Sequence, residues 1–369
     1  MDTVLASPFV HQNTPDKPDV ARARALILEH GWNSTSFQIV NPGIKRWFSR
    51  RGDAVVGYVS AAGVRVVVGA PVCERERLPD VVDLFESDAA RYGESVCYFA
   101  AESRLESIVA STGDHSKFSI GAQPAWDPQG WPEVVATHRS LRAQLNRARN
   151  KGVTVSEWSP SAAANDVRLA SVLDRWLATK HLPPLHFMVE PDTLARLEHR
   201  RIFVAERRDD VIACVVLSPV ARREGWLVEQ FPHVPGSPNG TVELMIDAAV
   251  RAVAEDGCRY ITLGLSPLSH RARVPDVQTP VWLKLMLAWV RKHGQRFYNF
   301  DGLDAFKAKL RPDRWEPVYA VVGRATIRPR DLYAIASAFS GNAPFRLFGG
   351  AIAKAVSTEM KWLAGKLKL

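Results

Sequence analysis

The sequence lacks an apolar run long enough to cross a bilayer. A membrane-spanning helix needs about 20 consecutive apolar residues, and the best candidates, such as Val281–Val290, are shorter and carry a lysine. The N-terminus also lacks a basic region followed by an apolar core, the pattern of a secretory signal. We therefore expect a protein that stays in the cytoplasm.

Cysteine is scarce as well. The four cysteines are Cys73, Cys97, Cys214 and Cys258. They are far apart in the sequence, with no CxxC pair and no nearby histidine at a spacing suited to zinc. Cys97 and Cys214 lie in apolar surroundings, which favours buried free thiols. This pattern predicts neither a disulfide framework nor a metal site.

The remaining composition is that of a globular protein, with 46% hydrophobic and 24% charged residues. The 369 residues suffice for two domains of ordinary size. The formal net charge is +9. A basic surface favours polyanions, either nucleic acid or anionic lipid headgroups. A solvated basic surface is the alternative, so the distribution of the charge has to decide.

The chain repeats one order of elements: a helix, a hairpin meander, a helix, a strand, a helix and a strand. The meander strands are predicted at 45–49, 54–60 and 64–69 in the first half, and at 201–205, 211–218 and 225–231 in the second half. A further strand is predicted at Phe37–Val40, and one long helix at Ala162–Thr179. This order is that of the acetyltransferase-like (GNAT) fold, so we predict an α/β (α+β) protein with tandem GNAT-like domains.

The predicted organisation has five parts. They are a flexible lead-in at 1–17, an N-terminal GNAT-like domain at 18–137, a basic linker helix at 138–152, a C-terminal catalytic GNAT-like domain at 153–325 and a basic helical tail at 326–369.

The linker helix carries cations without a single acidic residue. Leu141, Leu145 and Ala148 form one narrow apolar stripe. The cations flanking that stripe are Arg139, Arg142, Arg147, Arg149 and Lys151. Five like charges repel one another unless something negative compensates them, so we predict that these residues bind tRNA or another polyanion. The alternative is a solvated linker helix, which usually mixes both signs.

The segment Pro344–Leu369 has apolar residues at helical spacing, a tryptophan and several lysines. A basic amphipathic helix of this kind suits an anionic membrane surface. A helix packed on the second domain, with its stripe inward, explains the same pattern. The sequence leaves these two alternatives open.

Ordered blocks over roughly 20–325 resemble the C-terminal catalytic region of bacterial lysyl- and alanyl-phosphatidylglycerol synthases. The blocks begin with WFSRRGDAVVGYVSAAGVRVVVGAPVC and SLRAQLNRARNKG, and the most specific are PNGTVELMIDA and FKAK with the following WEPVY. The resemblance implies two GNAT-like domains joined by a basic helix, aminoacyl-tRNA as donor, no separate cofactor and phosphatidylglycerol as acceptor. The architecture is also similar to that of the Fem-type peptidoglycan transferases. No multi-helix membrane portion precedes these blocks, so we expect peripheral binding at the inner face of the membrane.

The segment His233–Glu243 is the first candidate for the reactive site. Its glycines and prolines suit close approach to a ligand, and it opens a helix whose amides attract anions. His233 is a candidate base, Glu229 and Glu243 are candidate carboxylates for the substrate ammonium, and the remaining candidates are Asn239, Gly240 and Thr241. A tight turn with Thr241 or Asn239 as N-cap is the plain structural alternative.

The second candidate segment follows Phe300-Asp301-Gly302. Lys307 and Lys309 cannot share one helical face, so one of them can point inward. With Arg311 they are candidates for contacts to the ester or to tRNA phosphate, and a basic surface turn is the alternative. Asp301 and Asp304 are candidates to orient these lysines or to meet a substrate amine. The segment 182–191 resembles the proline-rich acceptor-side loop of the family, where His186 is a candidate pocket residue.

Two other functions compete with aminoacyl transfer. A coenzyme A-dependent N-acyltransferase is disfavoured because the Q/R-x-x-G-x-G/A signature is absent. A non-catalytic module that binds RNA or anionic lipid would need only the basic helix and the basic tail.

Overall fold

The computed structural model describes residues 18–164, 166–179, 186–190, 194, 196–272, 279–294 and 299–341. The elements of the first half are α1 (Pro18–His30), β1 (Lys45–Phe48), β2 (Val55–Ala61), β3 (Val64–Val68), α2 (Leu78–Arg91), β4 (Ser95–Ala101), α3 (Ser103–Thr112) and β5 (Ser116–Trp126). Within the described ranges, no helix is both long and apolar enough to cross a bilayer.

Two short helices, α4 (Trp131–Thr137) and α5 (Arg139–Asn150), connect the halves. The second half contains β6 (Val153–Trp158), α6 (Pro160–Ala164), α7 (Val167–Ala178), β7 (Arg201–Arg207), β8 (Asp210–Val220), β9 (Gly225–Gln230), α8 (Thr241–Glu255), β10 (Tyr260–Thr262), β11 (Ser266–Pro267), α9 (Val281–Gly294), α10 (Phe300–Lys309), β12 (Arg314–Val322) and α11 (Pro329–Phe339).

Each meander contains a two-residue hairpin with the same backbone geometry. Ala62-Gly63 joins β2 to β3 and Arg208-Asp209 joins β7 to β8, with both residues of each pair at positive φ. A positive φ at both central positions defines the type I′ turn, which matches the twist of the flanking strands. The hairpins predicted for the two halves are therefore confirmed.

One mixed sheet runs through both halves, in the order β1-β2-β3-β4-β12-β5-β10-β9-β8-β7-β6, with β11 paired to β5. In each half a parallel pair, β3–β4 or β9–β10, follows the meander, and a helix connects its two strands. The final strands are exchanged: β12 of the second half pairs with β4, and β5 of the first half pairs with β10. The predicted fold class is confirmed. Because β5 and β12 are exchanged, neither half completes its sheet with its own strands alone.

The basic helix α5 is packed against the second half. Leu141, Leu145 and Ala148 are buried, in the same apolar cluster as Met245 and Val250 of α8. The stripe predicted from the sequence is therefore the buried face, and the cationic positions surround it. Because its stripe contributes to a core, α5 has a fixed position relative to α8.

Several predicted elements differ from the structure. Ser36–Val40 forms a fully buried 3-10 helix where a strand was predicted. The predicted long helix at Ala162–Thr179 is divided into α6 and α7, and the Asp166 side chain caps α7 by accepting a hydrogen bond from the Arg168 amide at 2.8 Å. The helix α10 was not predicted, whereas α11 lies within the helical tail predicted at 326–369.

The beginning of the predicted tail packs on the first half. Ala334 and Ala338 of α11 lie in the apolar cluster that also contains Val55 and Val66. The amphipathic segment Pro344–Leu369 lies outside the described residues, as does the predicted lead-in at 1–17.

Candidate active site

Two helix ends meet in the second half. The first is the N-terminus of α8, where Gly240 is the N-cap residue at φ +94° and no side chain caps the helix. A β-carbon at Gly240 would lie 2.1 Å from the carbonyl oxygen of Gln144 in α5. Glycine is therefore required here by both conformation and space. The alternative with Thr241 or Asn239 as N-cap is wrong: Thr241 instead donates to the Pro238 carbonyl at 2.6 Å.

The second helix end is the C-terminal part of α10, which faces the beginning of α8. Lys309 Nζ donates to Glu243 Oε1 at 2.5 Å, and the Glu243 side chain is only 9% exposed. Beside this ion pair, the rings of Phe231 and Phe306 lie 5.8 Å apart between centroids. The two segments selected from the sequence are therefore neighbours.

Lys307 is buried at 2% exposure. Its Nζ donates to the carbonyl oxygens of Gly264 at 2.8 Å and Leu265 at 2.9 Å. Burial lowers the pKa of Lys307 to about 7, and the negative charge of Asp304 partly opposes this shift. The interpretation of this segment as a basic surface turn is wrong for Lys307, because the segment is helical and this side chain points inward.

The position of Lys307 follows from the sheet. The strands β9 and β10 pair over only three residues, Gly225–Leu227 with Tyr260–Thr262. Directly after this short pairing, the chain turns through Gly264 at φ +67°. The backbone carbonyls of this turn are the ones that receive Lys307. A buried lysine with a lowered pKa at the end of a parallel strand pair is a candidate functional group.

Asp304, one helical turn before Lys307, is held by two partners. Ser269 Oγ donates to it at 2.6 Å, and Arg271 Nε lies 2.6 Å from its other carboxylate oxygen. The sequence indicated Asp304 as a group that orients the lysines or meets a substrate amine. Neither Ser269 nor Arg271 was identified as a candidate.

The remaining carboxylate candidates have internal partners. Glu229 accepts from Arg200 Nε at 2.9 Å, and both side chains are buried. Asp301 pairs with Arg291 Nη2 at 2.9 Å and is half exposed. Glu229 therefore forms a structural ion pair beneath the meander, and the predicted role of either residue in substrate binding stays a prediction.

The remaining single candidates lie outside the helices and strands. His233 Nδ1 lies 3.1 Å from the Phe231 carbonyl, which can only accept, so Nδ1 carries the proton and Nε2 of a neutral ring is an acceptor. His186 is exposed and lies 3.4 Å from Glu190. Arg311 is exposed with φ +54° at the end of α10, and Asn239 is exposed before α8. Their predicted roles stay predictions.

The cations of α5 divide into two groups. Arg142 donates to the carbonyls of Val135 and Ala136 at the end of α4, and Arg149 lies 3.0 Å from the buried Asp247. Arg139, Arg147 and Lys151 are exposed. Among the described residues this second group has no carboxylate partner, so it is the group available to a polyanion.

A charged network that the sequence did not reveal joins the two halves. Arg223 donates to Glu102 at 3.0 Å and to both carboxylate oxygens of Glu316, at 3.0 and 2.5 Å. Its guanidinium lies 3.6 Å from the ring centroid of Tyr260, and Tyr260 and Gln123 also donate to Glu316. Glu316, inside the quoted WEPVY block, carried a signal in the sequence through the family resemblance.

The two carboxylates of this network titrate differently. Burial raises the pKa of Glu102. Burial also acts to raise the pKa of Glu316, but the hydrogen bonds and charge of Arg223 outweigh it and lower that pKa. The network includes side chains from β5, β10 and β12 and from Glu102, which directly follows β4, and these are the strands at which the sheets of the two halves merge.

The fold and the two helix ends place the chain among α/β proteins built from two GNAT-like halves that share one sheet. It belongs to the family described as phosphatidylglycerol lysyltransferase, C-terminal, whose model matches residues 24–322. Recognition of this family from the quoted blocks is therefore confirmed.

Named relatives and solved structures agree with this membership. The chain is 26% identical over 307 residues to a phosphatidylglycerol lysyltransferase of Bacillus subtilis, covering 82% of this chain and 35% of that protein. It therefore spans about a third of the length of the curated relatives it matches. Its fold is similar to a C-terminal domain from Agrobacterium fabrum assigned to lysylphosphatidylglycerol synthetase, with TM-score 0.74, 24% identity, and coverage of 88% of this chain and 98% of that one. It is also similar to L-PGS from Bacillus licheniformis, with TM-score 0.71, 20% identity, and coverage of 88% and 97%.

Proposed function

We propose that this chain transfers an aminoacyl group from aminoacyl-tRNA to a hydroxyl of phosphatidylglycerol at the inner surface of the cell membrane. Family membership supports the reaction class. The observation that carries the proposal is Lys307, a buried amine fixed by two backbone carbonyls next to the Glu243–Lys309 ion pair.

The reaction needs a donor for developing negative charge. The acceptor hydroxyl attacks the ester carbonyl, and a tetrahedral intermediate with an oxyanion forms. The Lys307 ammonium uses two N–H bonds on Gly264 and Leu265, and its third N–H remains for the oxyanion. Since Lys309 is already neutralised by Glu243, Lys307 is the stronger candidate of the two.

The reaction also needs a base and an ammonium site. Among the described residues, His233 Nε2 has no hydrogen-bond partner, so it is available to take the proton of the acceptor hydroxyl and return it to the departing ribose oxygen. Glu243 is the carboxylate that would receive the aminoacyl ammonium, in exchange for Lys309. The exposed cations of α5 would bind tRNA phosphates.

The test uses purified protein, phosphatidylglycerol vesicles and tRNA charged with radiolabelled lysine or alanine in separate reactions. We expect label in the lipid phase with at least one tRNA, and none after ribonuclease treatment of the donor. Label transferred from acetyl-coenzyme A would support an N-acyltransferase instead. Binding of tRNA and vesicles without transfer of either label would support a non-catalytic binding module.

A further inference from the structure

One surface helix exposes apolar side chains together with cations. In α9, Val281 is 72% and Leu285 is 67% exposed, and Trp282 is 39% exposed. Val281, Leu285, Ala288 and Lys292 are spaced i, i+4, i+7 and i+11, so they lie on one face of the helix. Residues of this kind in one contiguous patch mark an interaction surface.

The opposite side of α9 is anchored in the protein. Leu283 is fully buried, and Met286 and Leu287 pack against the same apolar cluster. Arg291, near the end of the helix, donates to the Leu268 carbonyl at 3.0 Å and pairs with Asp301. The exposed face therefore belongs to a helix that is fixed on the second half.

The charge of α9 has one sign. Its sequence, VWLKLMLAWVRKHG, contains no acidic residue. Lys284 and Lys292 are exposed beside the apolar residues, whereas Arg291 has its own carboxylate partner. A helix with a tryptophan, aliphatic residues and lysines on one surface suits the boundary between headgroups and acyl chains of an anionic bilayer.

The dimensions of the helix decide how it would meet a bilayer. Its 14 residues rise about 21 Å, whereas the hydrocarbon core is about 30 Å thick. The helix is therefore too short to span, and its one-sided exposure suits an orientation parallel to the membrane surface. Leu265, which packs on the same apolar cluster as Leu287, also supplies one of the carbonyls that hold Lys307.

We propose that the exposed face of α9 (Val281, Trp282, Lys284, Leu285, Ala288 and Lys292) docks the protein on an anionic phospholipid bilayer and so brings the candidate site around Lys307 to the lipid. The inference deepens the proposed function, and it relies on that function only for the choice of phosphatidylglycerol as the lipid.

The experiment measures sedimentation of the full chain with vesicles of phosphatidylcholine, with or without phosphatidylglycerol. Val281→Ser with Leu285→Ser should weaken binding about tenfold or more, since each side chain loses the gain from apolar burial. Lys284→Gln with Lys292→Gln should weaken binding about fivefold per residue, and only on the vesicles that contain phosphatidylglycerol. Quenching of tryptophan fluorescence by brominated phosphatidylglycerol should decrease in Trp282→Phe.

Leu84→Ser with Val167→Ser is the matched control, because these side chains are 49% and 80% exposed on other helices. Equal binding by this variant and the α9 apolar variant would overturn the proposal. So would loss of binding only on truncation after residue 341, which would assign the contact to the tail. A change from dimer to monomer in the α9 variant, seen by ultracentrifugation, would assign the face to a second copy and overturn it as well.

Failure of the proposed function would give a different experimental result from failure of the docking proposal. Wild-type protein that binds vesicles through α9 but transfers no aminoacyl group would leave the docking surface standing and remove the reaction. The α9 variant should also transfer normally to a short-chain phosphatidylglycerol in solution, because Lys307 and Glu243 are untouched. Loss of that transfer would indicate damage to the candidate site and would count against a docking role.

Discussion

The two GNAT-like halves differ at the ends of their parallel strand pairs although the order of their elements is the same. In the first half, β3 and β4 pair over five residues, and the Gly69 amide adds a further bond to the Phe99 carbonyl. A β-carbon at Gly69 would lie 2.5 Å from Asn33 Nδ2, so the end of β3 is covered by the chain itself. In the second half, β9 and β10 pair over three residues.

The side chains at the ends of the two parallel strand pairs also differ. Asn33 bonds the Ala100 carbonyl at 3.0 Å, and Glu102 of the first half is directed to Arg223. In the second half, the Lys307 amine occupies the equivalent region, at the carbonyls of Gly264 and Leu265 that follow β10. The comparison shows that the polar side chains of the first half bond within the fold or to Arg223, whereas Lys307 in the second half bonds backbone carbonyls.

The largest expected effect concerns the network that joins the halves. Arg223→Met should lower the free energy of unfolding by about 3–5 kcal/mol, because it leaves the buried Glu102 without its cation and the half-buried Glu316 with only Arg314. Chemical denaturation would measure this loss. Adding Glu102→Gln should recover part of it. A stability equal to that of wild type would show that the halves are held together without this network.

Next is the reactive site. Lys307→Ala should reduce aminoacyl transfer by about 10²–10³, the usual effect of removing one oxyanion donor, and Lys309→Ala should reduce it much less. Lys117→Ala, which removes the first-half lysine paired with Glu106, is the control and should leave transfer unchanged. Initial rates with labelled donor would measure this. Equal rates in the Lys307 and Lys117 variants would move the reactive site elsewhere.

A smaller effect is expected on the pH dependence of stability. The pKa of Lys307 is lowered from 10.5 to about 7. Between these values the unfolded chain holds a proton that the folded chain lacks, so this group makes the protein more stable as pH rises through that window. Below about pH 7 both states are protonated and the contribution is constant. The free energy of unfolding of wild type minus that of Lys307→Met should therefore increase from pH 7 to 9, and a flat difference would contradict a buried amine.

The smallest expected effect is on the basic helix. Replacing Arg139, Arg147 and Lys151 by alanine should flatten the dependence of tRNA affinity on salt by about 0.9 per lost phosphate contact. Binding titrations at several salt concentrations would measure the slope. Arg142→Ala, which removes a side chain bonded to α4 carbonyls, is the control and should leave the slope nearly unchanged. An unchanged slope in the triple variant would leave α5 as a packed connector.

The sequence by itself determined the local order of elements and the family. Hairpin turns, the buried stripe Leu141–Leu145–Ala148 and the helix after PNGT depend on neighbouring residues, so their patterns predicted them. The 3-10 helix at Ser36–Val40 was missed because Phe37, Gln38 and Ile39 alternate apolar and polar residues, a pattern that is also typical of a strand.

Tertiary structure alone decided the pairings over long sequence distances. The exchange of β5 and β12 and the Arg223 network involve partners about 100–200 residues apart, which no local pattern encodes. The same holds for the two lysines of α10: spacing showed that they diverge, but only packing decided which one is buried. Lys307 meets Gly264 and Leu265 because β9 and β10 separate early, and that separation is a property of the sheet.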